Sequence, residues 1–422
     1  MKRTWILCLL CLLLLACAGC ASAGRDADEP ESLTIDVASD LHYLSPSLTD
    51  NGPLFEAVVR RGDGKLMLDI EAISEAFTEQ MIAERPDLLI LSGDLSFNGE
   101  KQSHLDLAEK LKRIEAAGVQ VLVLPGNHDM DVSSAACFEG EEYRYVDTVD
   151  AAEFREIYAD FGYSEALSVD ELSGSYVYAP CSGLRIFMLD TNSVSDDSFP
   201  EESFAWLEKQ LKDAKRAGAQ ILSVSHQNLL VHNKLFVFGY QILNAEKLEE
   251  LLCKYGVRLH LSGHMHIQHA AQGSLTEVLT SPLSMTPCRY AQLLWHRVMM
   301  SYEVRSVDVS AWAAAQGLED EKLLRFDEYA RDFFRQTAYD KTLARCLSAG
   351  MDQEDAERLS ACFADTNLAY FFGEPVDRER LSREIDFIEA QRISYSTAYL
   401  HSILEDEPID PLQIVIKTGK NA

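Results

Sequence analysis

Short hydrophobic runs recur along the chain at residues 33–39, 88–92, 119–124, 184–189, 221–225 and 257–261. Each is rich in aliphatic and β-branched side chains and bounded by turn residues, so each predicts a strand. Amphipathic stretches with helical spacing lie between them, notably 68–83 and 104–117, the second stopping at Gly118 as a helix C-terminus should. This rhythm predicts an α/β domain over 33–306. From about Val307 the strand pattern fades, and Leu323, Phe326, Ala330, Phe333 and Thr337 recur at helical spacing. Further helical patterns begin at Asp352, Asp377 and Ser394, predicting a C-terminal helical domain over 307–422 in which Phe326, Phe333 and Phe334 pack as core.

A leader precedes the first strand. Lys2 and Arg3 supply positive charge, residues 5–16 are uninterruptedly apolar, and Cys17-Ala18-Gly19-Cys20-Ala21-Ser22 closes the run with small residues. That is the pattern of an export signal over 1–20, followed by a polar linker over 21–32. The run is short for a membrane span, and small residues before cysteine resemble the lipobox of bacterial lipoproteins. Cys20, or Cys17, would then carry the lipid and anchor the exported protein to the outer face of the bacterial cytoplasmic membrane. An ordinary cleaved signal peptide with a soluble product is the alternative.

With 422 residues, 47% hydrophobic and 25% charged, the chain can bury a core and has room for two folded units. Its formal net charge of -30 repels phosphate polymers at long range, which argues against DNA or RNA as a partner. Beyond the leader the cysteines are Cys137, Cys181, Cys253, Cys288, Cys346 and Cys362, with no Cys-x-x-Cys pair, so neither a zinc ribbon nor a dense disulfide scaffold is predicted. Cys346 and Cys362 could pair across a helical hairpin, but a buried free thiol is expected for each.

The chemistry collects at the ends of predicted strands. Asp40-Leu41-His42 follows the first run, Gly93-Asp94 the second and Gly126-Asn127-His128-Asp129 the third, and later runs end in Ser225-His226 and Ser262-Gly263-His264-Met265-His266. Carboxyl ends of strands in an α/β layer open onto the ligand crevice, so residues distant in sequence can meet there. Glycine beside a ligand allows a sharp turn. A Gly-His-x-His string is expected only about 0.015 times by chance in such a composition. His104, His232, His260, His269, His296 and His401 lack this context and read as structural, with His232 and His269 near enough to motifs to be pocket-wall candidates.

This ordered set resembles the calcineurin-like metallophosphoesterase superfamily over roughly residues 33–306. The resemblance implies a four-layer α/β/β/α sandwich carrying a two-metal centre, with Asp40, His42 and His266 on one metal, Asn127, His226 and His264 on the other, and Asp94 bridging. Imidazole, carboxylate and amide donors without thiolate suit divalent manganese, iron or zinc. Two such ions would activate a water molecule as nucleophile and clamp the phosphoryl oxygens. His128, by the family pattern not a ligand, would contact a phosphoryl oxygen or protonate the leaving alkoxide, with Asp129 orienting it.

Purple acid phosphatases of the superfamily carry a tyrosine ligand where this chain has Phe97, and glycine where it has His42. Gly93-Asp94-Leu95-Ser96 is similar instead to the class III cyclic nucleotide phosphodiesterases, and residues 39–129 resemble the secreted or lipid-anchored Gram-positive members. The function implied is hydrolysis of small phosphodiesters, cyclic nucleotides foremost; a nucleotidase or general phosphomonoesterase is the alternative, and a non-catalytic binding lipoprotein a distant third. Many of that branch have His-His-Pro where this chain has His226-Gln227-Asn228, which predicts an altered pocket wall. Asn127 and His128 are expected to face substrate. Asp190 and Asn192 are further pocket candidates, with a strand-end cap as the equal alternative. Segments 43–65 and 138–174 read as insertions that either shape access or serve as scaffold. The sequence identifies no protein partner.

Overall fold

Alternation of side chains along the strands decides the layering. In the computed structural model, which describes residues 30–194, 197–391, 397–407 and 409–418, Leu88 and Ile90 face one way and Leu89 and Leu91 the other, and all four are buried. A strand covered on both faces reads as a continuous apolar run, which is why the six runs stand out in the sequence. The leader, with Cys17 and Cys20, and the helical start at Ser394 lie outside the described residues.

The strands are β1 (Ser32–Ala38), β2 (Leu88–Ser92), β3 (Gln120–Leu124), the hairpin β4 (Ala136–Glu139) and β5 (Glu142–Tyr145), β6 (Ser168–Val169), β7 (Tyr176–Cys181), β8 (Leu184–Leu189), β9 (Gln220–Ser225), β10 (Leu259–Ser262), β11 (His269–Gln272), β12 (Thr276–Leu279), β13 (Arg289–His296), β14 (Met299–Ser306) and β15 (Gln413–Lys417). One sheet runs β15-β14-β13-β1-β2-β3 and the other β11-β12-β10-β9-β8-β7-β6. β1, β2 and β3 are mutually parallel, as are β8, β9, β10 and β12. Ile35, Ile90, Leu122, Ile186, Val224 and Leu261 pack between the sheets. Helices Pro53–Arg61, Ile70–Glu84 and Lys101–Ala116 cover the outer face of the first sheet. Helices Phe204–Ala217 and Ala245–Lys254 cover the second. Each fully buried aliphatic side chain in these layers adds roughly 1.5–3 kcal/mol. The result is the expected four-layer α/β/β/α sandwich.

Beyond β14 come the helices Val309–Ala315, Glu321–Leu324, Phe326–Ser348, Gln353–Phe371, Arg378–Gln391 and Ala398–Leu404, with Phe326–Ser348 and Gln353–Phe371 the long members. Phe326 and Phe334 are buried and Phe333 packs against the core, as the stripe predicts. Apolar residues of these helices close over Met265, Ile267 and Leu279 of the second sheet's edge. The chain then returns as β15 to pair with β14, a strand within the region expected to be helical, whose local signal is the short β-branched run Ile414-Val415-Ile416. Contacts make Ser32 onward one compact unit. The six cysteines beyond the leader are unpaired, Cys346 and Cys362 among them, although Cys181 and Cys253 are half-buried rather than buried. No described helix is long and apolar enough to cross a membrane.

Candidate metal centre

Every donor lies just past the carboxyl end of a strand, and backbone bonds between those ends hold them together. Asp40 N–H donates to the Gly93 carbonyl at 3.0 Å, His42 N–H to the Asp94 carbonyl at 2.9 Å, and Gly263 N–H to the His226 carbonyl at 3.1 Å, the last joining the β9 and β10 ends. The β1 and β2 ends lie in the first sheet and the β9 and β10 ends in the second, so the centre straddles the mouth of the sandwich.

The chain is strained there. Asp40, His42, Asp94, His264 and His266 all have left-handed backbones, with φ of 53°, 46°, 50°, 68° and 58°. Such a conformation costs of order 1–3 kcal/mol for a non-glycine residue and persists only where the surroundings over-determine it. Five of the seven expected ligands therefore hold positions that folding alone does not favour. The adjacent glycines serve mainly for space. A Cβ on Gly126 would lie 2.2 Å from Asp94 Oδ1, and one on Gly263 would lie 1.8 Å from Ser39 Oγ and 2.6 Å from Asp40 Oδ2. Only Gly93, with φ of 101°, also supplies the turn.

The donor atoms form two sets that share one carboxylate. In the first, Asp40, His42, Asp94 and His266 each offer an atom within 4.8 Å of the others; in the second, Asp94, His226 and His264 do the same. His42 Nε2 and His266 Nε2 are 3.2 Å apart, as are His264 Nδ1 and His226 Nε2. Asn127 Oδ1 lies 3.1 Å from His226 Nε2 and completes the second set. Asp94 Oδ2 faces His42 at 3.5 Å while Oδ1 faces His226 at 3.3 Å, so its two oxygens point into different sets. Lone-pair atoms crowded this way, with no thiolate among them, fit two divalent cations joined by a carboxylate. Asp40, His42, Asp94 and His226 are buried, whereas Asn127, His128, His264 and His266 are partly exposed and give the centre an open side.

The far nitrogens fix the rings, as metal-ligating histidines require. His226 Nδ1 donates to the Ser92 carbonyl at 2.9 Å, His264 Nε2 to the Gly239 carbonyl at 2.7 Å, and His266 Nδ1 to the Asp63 carboxylate at 3.1 Å. His42 Nδ1 alone has no hydrogen-bond partner among the described residues. Burial would raise the Asp94 carboxyl, but the His226 and His42 charges and the His226 contact outweigh it and hold it well below the ordinary value. Burial, with His226 nearby, pushes the His264 imidazole down to about 4, and burial also holds His42 well below its ordinary value. His226 and His266 are driven the other way, to about 9, because contacts with Asp94, and with Asp40 and Asp63 respectively, overcome the burial that would lower them. Their protons are ones a cation would displace.

Sequence reasoning misses Asp63, Gly239 and Asn98. Asp63 lies 203 residues from the histidine it orients, so no local pattern marks it. It reaches the centre because segment 43–65 folds back beneath the helical region, where a Cβ on Gly64 would lie 2.6 Å from the Phe334 ring and Lys341 Nζ donates to the Gly62 carbonyl. That insertion therefore shapes the site through Asp63 and Lys65, while its Tyr43, Leu44 and Phe55 are core. Segment 138–174 serves as scaffold through Phe138, Phe154, Tyr158 and Phe161. Asp63→Asn should weaken cation binding about 10–100-fold, the usual effect of losing an outer carboxylate, while leaving the fold's thermal midpoint nearly unchanged. Metal titration followed by elemental analysis reads this; unchanged affinity would leave Asp63 without a role at His266.

His128 stands beside these donors. Its ring lies 4.9 Å from that of His42, edge to face, and its Nδ1 donates to the Phe97 carbonyl at 3.0 Å and Asn98 Oδ1 at 3.1 Å. Both partners are acceptors, which leaves Nε2 available for substrate. Asp129 does not orient His128, contrary to the sequence expectation. Its carboxylate accepts from Leu95 N–H at 3.1 Å, Ser96 N–H at 2.8 Å, Ser96 Oγ–H at 2.8 Å and Gly126 N–H at 2.8 Å, tying the β2 and β3 loops together. Asp190 caps its own turn through Asn192 N–H at 2.8 Å and Ser193 N–H at 3.0 Å. Asn192 pairs with Gln227 and donates to the Pro125 carbonyl at 3.2 Å, buttressing the loop that carries Asn127. Gln227 and Asn228 are buried and spend their amides on strand-end loops, so the departure at that motif is absorbed by the scaffold rather than by a pocket wall. His232 and His269 are likewise not in the centre; their Nδ1 atoms meet at 2.9 Å, and the pair is flanked by Glu277 and Asp406.

Comparison with known proteins agrees with this arrangement. Residues 33–268 match the calcineurin-like phosphoesterase family, and residues 308–410 match the C-terminal domain of cyclic nucleotide phosphodiesterase. A "probable cyclic nucleotide phosphodiesterase" of Fibrobacter succinogenes is 25% identical over 225 residues, which is 52% of this chain and 74% of that protein. A "sphingomyelinase phosphodiesterase D" of Dictyostelium discoideum is 29% identical over 174 residues, which is 36% of each chain, so only about a third of that relative is spanned. Similar solved structures include a dimetal phosphatase from Danio rerio, with 14% identity, 66% of this chain and 97% of that one covered, and a TM-score of 0.44. A purple acid phosphatase from yellow lupin seeds has 14% identity, 66% and 52% coverage and a TM-score of 0.43. The family match spans more than half of the chain and contains every donor of the two sets, so the protein belongs to the calcineurin-like phosphoesterase family and is a metal-dependent phosphoester hydrolase.

Proposed function

We propose that the protein hydrolyses small phosphodiesters, with cyclic nucleotides as the substrate class. The observation that carries this reading is the combination of the shared-carboxylate donor arrangement with a C-terminal region matching that of cyclic nucleotide phosphodiesterase. Asp40, His42 and His266 would hold one divalent ion and Asn127, His226 and His264 the other, with Asp94 shared between the two sets; manganese, iron or zinc would all suit these donors. When bound, such a pair lowers the pKa of water and offsets charge on the phosphoryl oxygens.

The chain's own residues do the rest. His128, held at Nδ1 by Phe97 and Asn98, presents Nε2 to the substrate and transfers a proton to the leaving alkoxide. Asp94 Oδ1 accepts the His128 backbone N–H at 2.9 Å, so the acid and the shared ligand are positioned together. Lys65, whose charge acts on both His42 and His266, supplies local positive potential in an otherwise acidic protein. The division into leader 1–20, linker 21–32, catalytic region 33–306 and helical region 307–422 belongs to this reading. So does export with a lipid on Cys20 or Cys17, which rests on the leader pattern and predicts globomycin-sensitive processing. Purified protein with manganese should turn over bis(p-nitrophenyl) phosphate and cyclic AMP faster than p-nitrophenyl phosphate and lose this activity to a chelator. A preference for the monoester would make it a nucleotidase or phosphomonoesterase instead.

A further inference from the structure

A cavity of about 1150 Å³ lies between the catalytic region and the C-terminal helices, next to the metal centre. Asp63, which holds His266, and Met265, between the ligands His264 and His266, are both part of its wall. From His264 a continuous line of rings leads into it. The Tyr240 ring is 5.4 Å from that of His264, Phe236 is 5.4 Å from Tyr240, Tyr399 is 5.7 Å from Phe236, and Phe363 is 5.6 Å from Tyr399. All four are half-buried, so each both packs on the core beneath and presents surface to the cavity. Among these rings sits one amide, Asn367, whose Oδ1 accepts the Tyr399 hydroxyl at 2.8 Å. A cavity of several hundred Å³ walled by aromatics with a few placed polar groups is the usual form of a site for a flat, heteroatom-bearing ligand.

We propose that this cavity receives the nucleobase of the substrate, so that the C-terminal helices, through Phe363, Asn367 and Tyr399, are part of the specificity pocket. The inference rests on the phosphodiesterase reading and deepens it. Phosphate held at the centre would place the ester substituents at the cavity mouth, where Tyr240 is the first ring met. A base in such a site stacks on aromatic faces, an interaction every base can make, while the Asn367 amide meets its polar edge. An acyl chain would make no hydrogen bond to that amide.

Calorimetry on the full chain with manganese supplied, using AMP, ribose 5-phosphate and octyl phosphate as probes, tests this. AMP should bind about tenfold or more tightly than ribose 5-phosphate, as expected for one stacked base. Phe236→Leu and Tyr399→Leu keep apolar bulk under the helices, so the thermal midpoint and manganese content should hold while the AMP advantage collapses. Equal binding of AMP and ribose 5-phosphate by the unaltered protein, no AMP binding, tighter binding of octyl phosphate, or an advantage that survives both substitutions would overturn the proposal. Turnover of bis(p-nitrophenyl) phosphate, measured alongside, separates the two levels. A protein that prefers AMP but cleaves only monoesters keeps the base pocket and loses the phosphodiesterase reading. One that cleaves the diester yet ignores the base does the reverse.

Discussion

Asp94→Asn is expected to lose most of both cations and at least about 10⁴-fold in turnover. The substitution keeps the shape and the acceptor for the His128 backbone N–H, so the loop should survive. What disappears is the one negative charge whose two oxygens face different donor sets. Without it, two cations held mainly by neutral imidazoles and an amide repel each other unscreened, and Asp40 is left as the remaining carboxylate among the seven donors. Each ion is worth several kcal/mol of charge stabilisation in the reaction, and about 1.4 kcal/mol is tenfold in rate. Elemental analysis and diester turnover should fall together. Full metal content with turnover above a tenth of the unaltered protein would show that Asp94 does not join the sites.

His128→Ala separates acid catalysis from metal binding. Its side chain touches no donor through a hydrogen bond; it is held by Phe97 and Asn98. Metal content should therefore be unchanged while turnover falls about 10²–10⁴-fold, the usual contribution of a positioned acid. The loss should depend on the leaving group. A p-nitrophenolate departs readily without a proton, so the defect on bis(p-nitrophenyl) phosphate should be small, whereas an alkoxide, as in a cyclic nucleotide, needs the proton and should show the whole effect. A defect of equal size on both substrates would remove proton transfer at Nε2 from the mechanism and leave His128 as a phosphate contact.

Much of this architecture was legible because local rules and tertiary demand coincide. The runs at 88–92 and 184–189 are buried almost throughout, which leaves a largely apolar pattern, broken by Arg185 and closed by Ser92, that matches β2 and β8 residue for residue. The polar motifs stand out for the converse reason, since buried Asp and His beside glycine serve no local structural end. The glycines differ in part from the expectation of a sharp turn: a turn accounts for Gly93, but Gly126 and Gly263 are set by contacts with residues from other strands. Asp129 does not face the neighbouring His128, because adjacency in sequence says nothing about direction. Its carboxylate points back to the β2 loop while His128 faces the cleft.

The chain's linear order thus determined the sandwich and the gathering of Asp40, His42, Asp94, Asn127, His226, His264 and His266 with His128 beside them, because strand periodicity and the polar strand-end motifs are written within a few residues of one another. Which nitrogen of each histidine faces the centre, the part played by Asp63, the return of β15 to the first sheet and the aromatic cavity under the C-terminal helices were decided by the tertiary structure alone. Each of these depends on groups brought together from distant parts of the chain, and a contact across 203 residues leaves no periodicity to read.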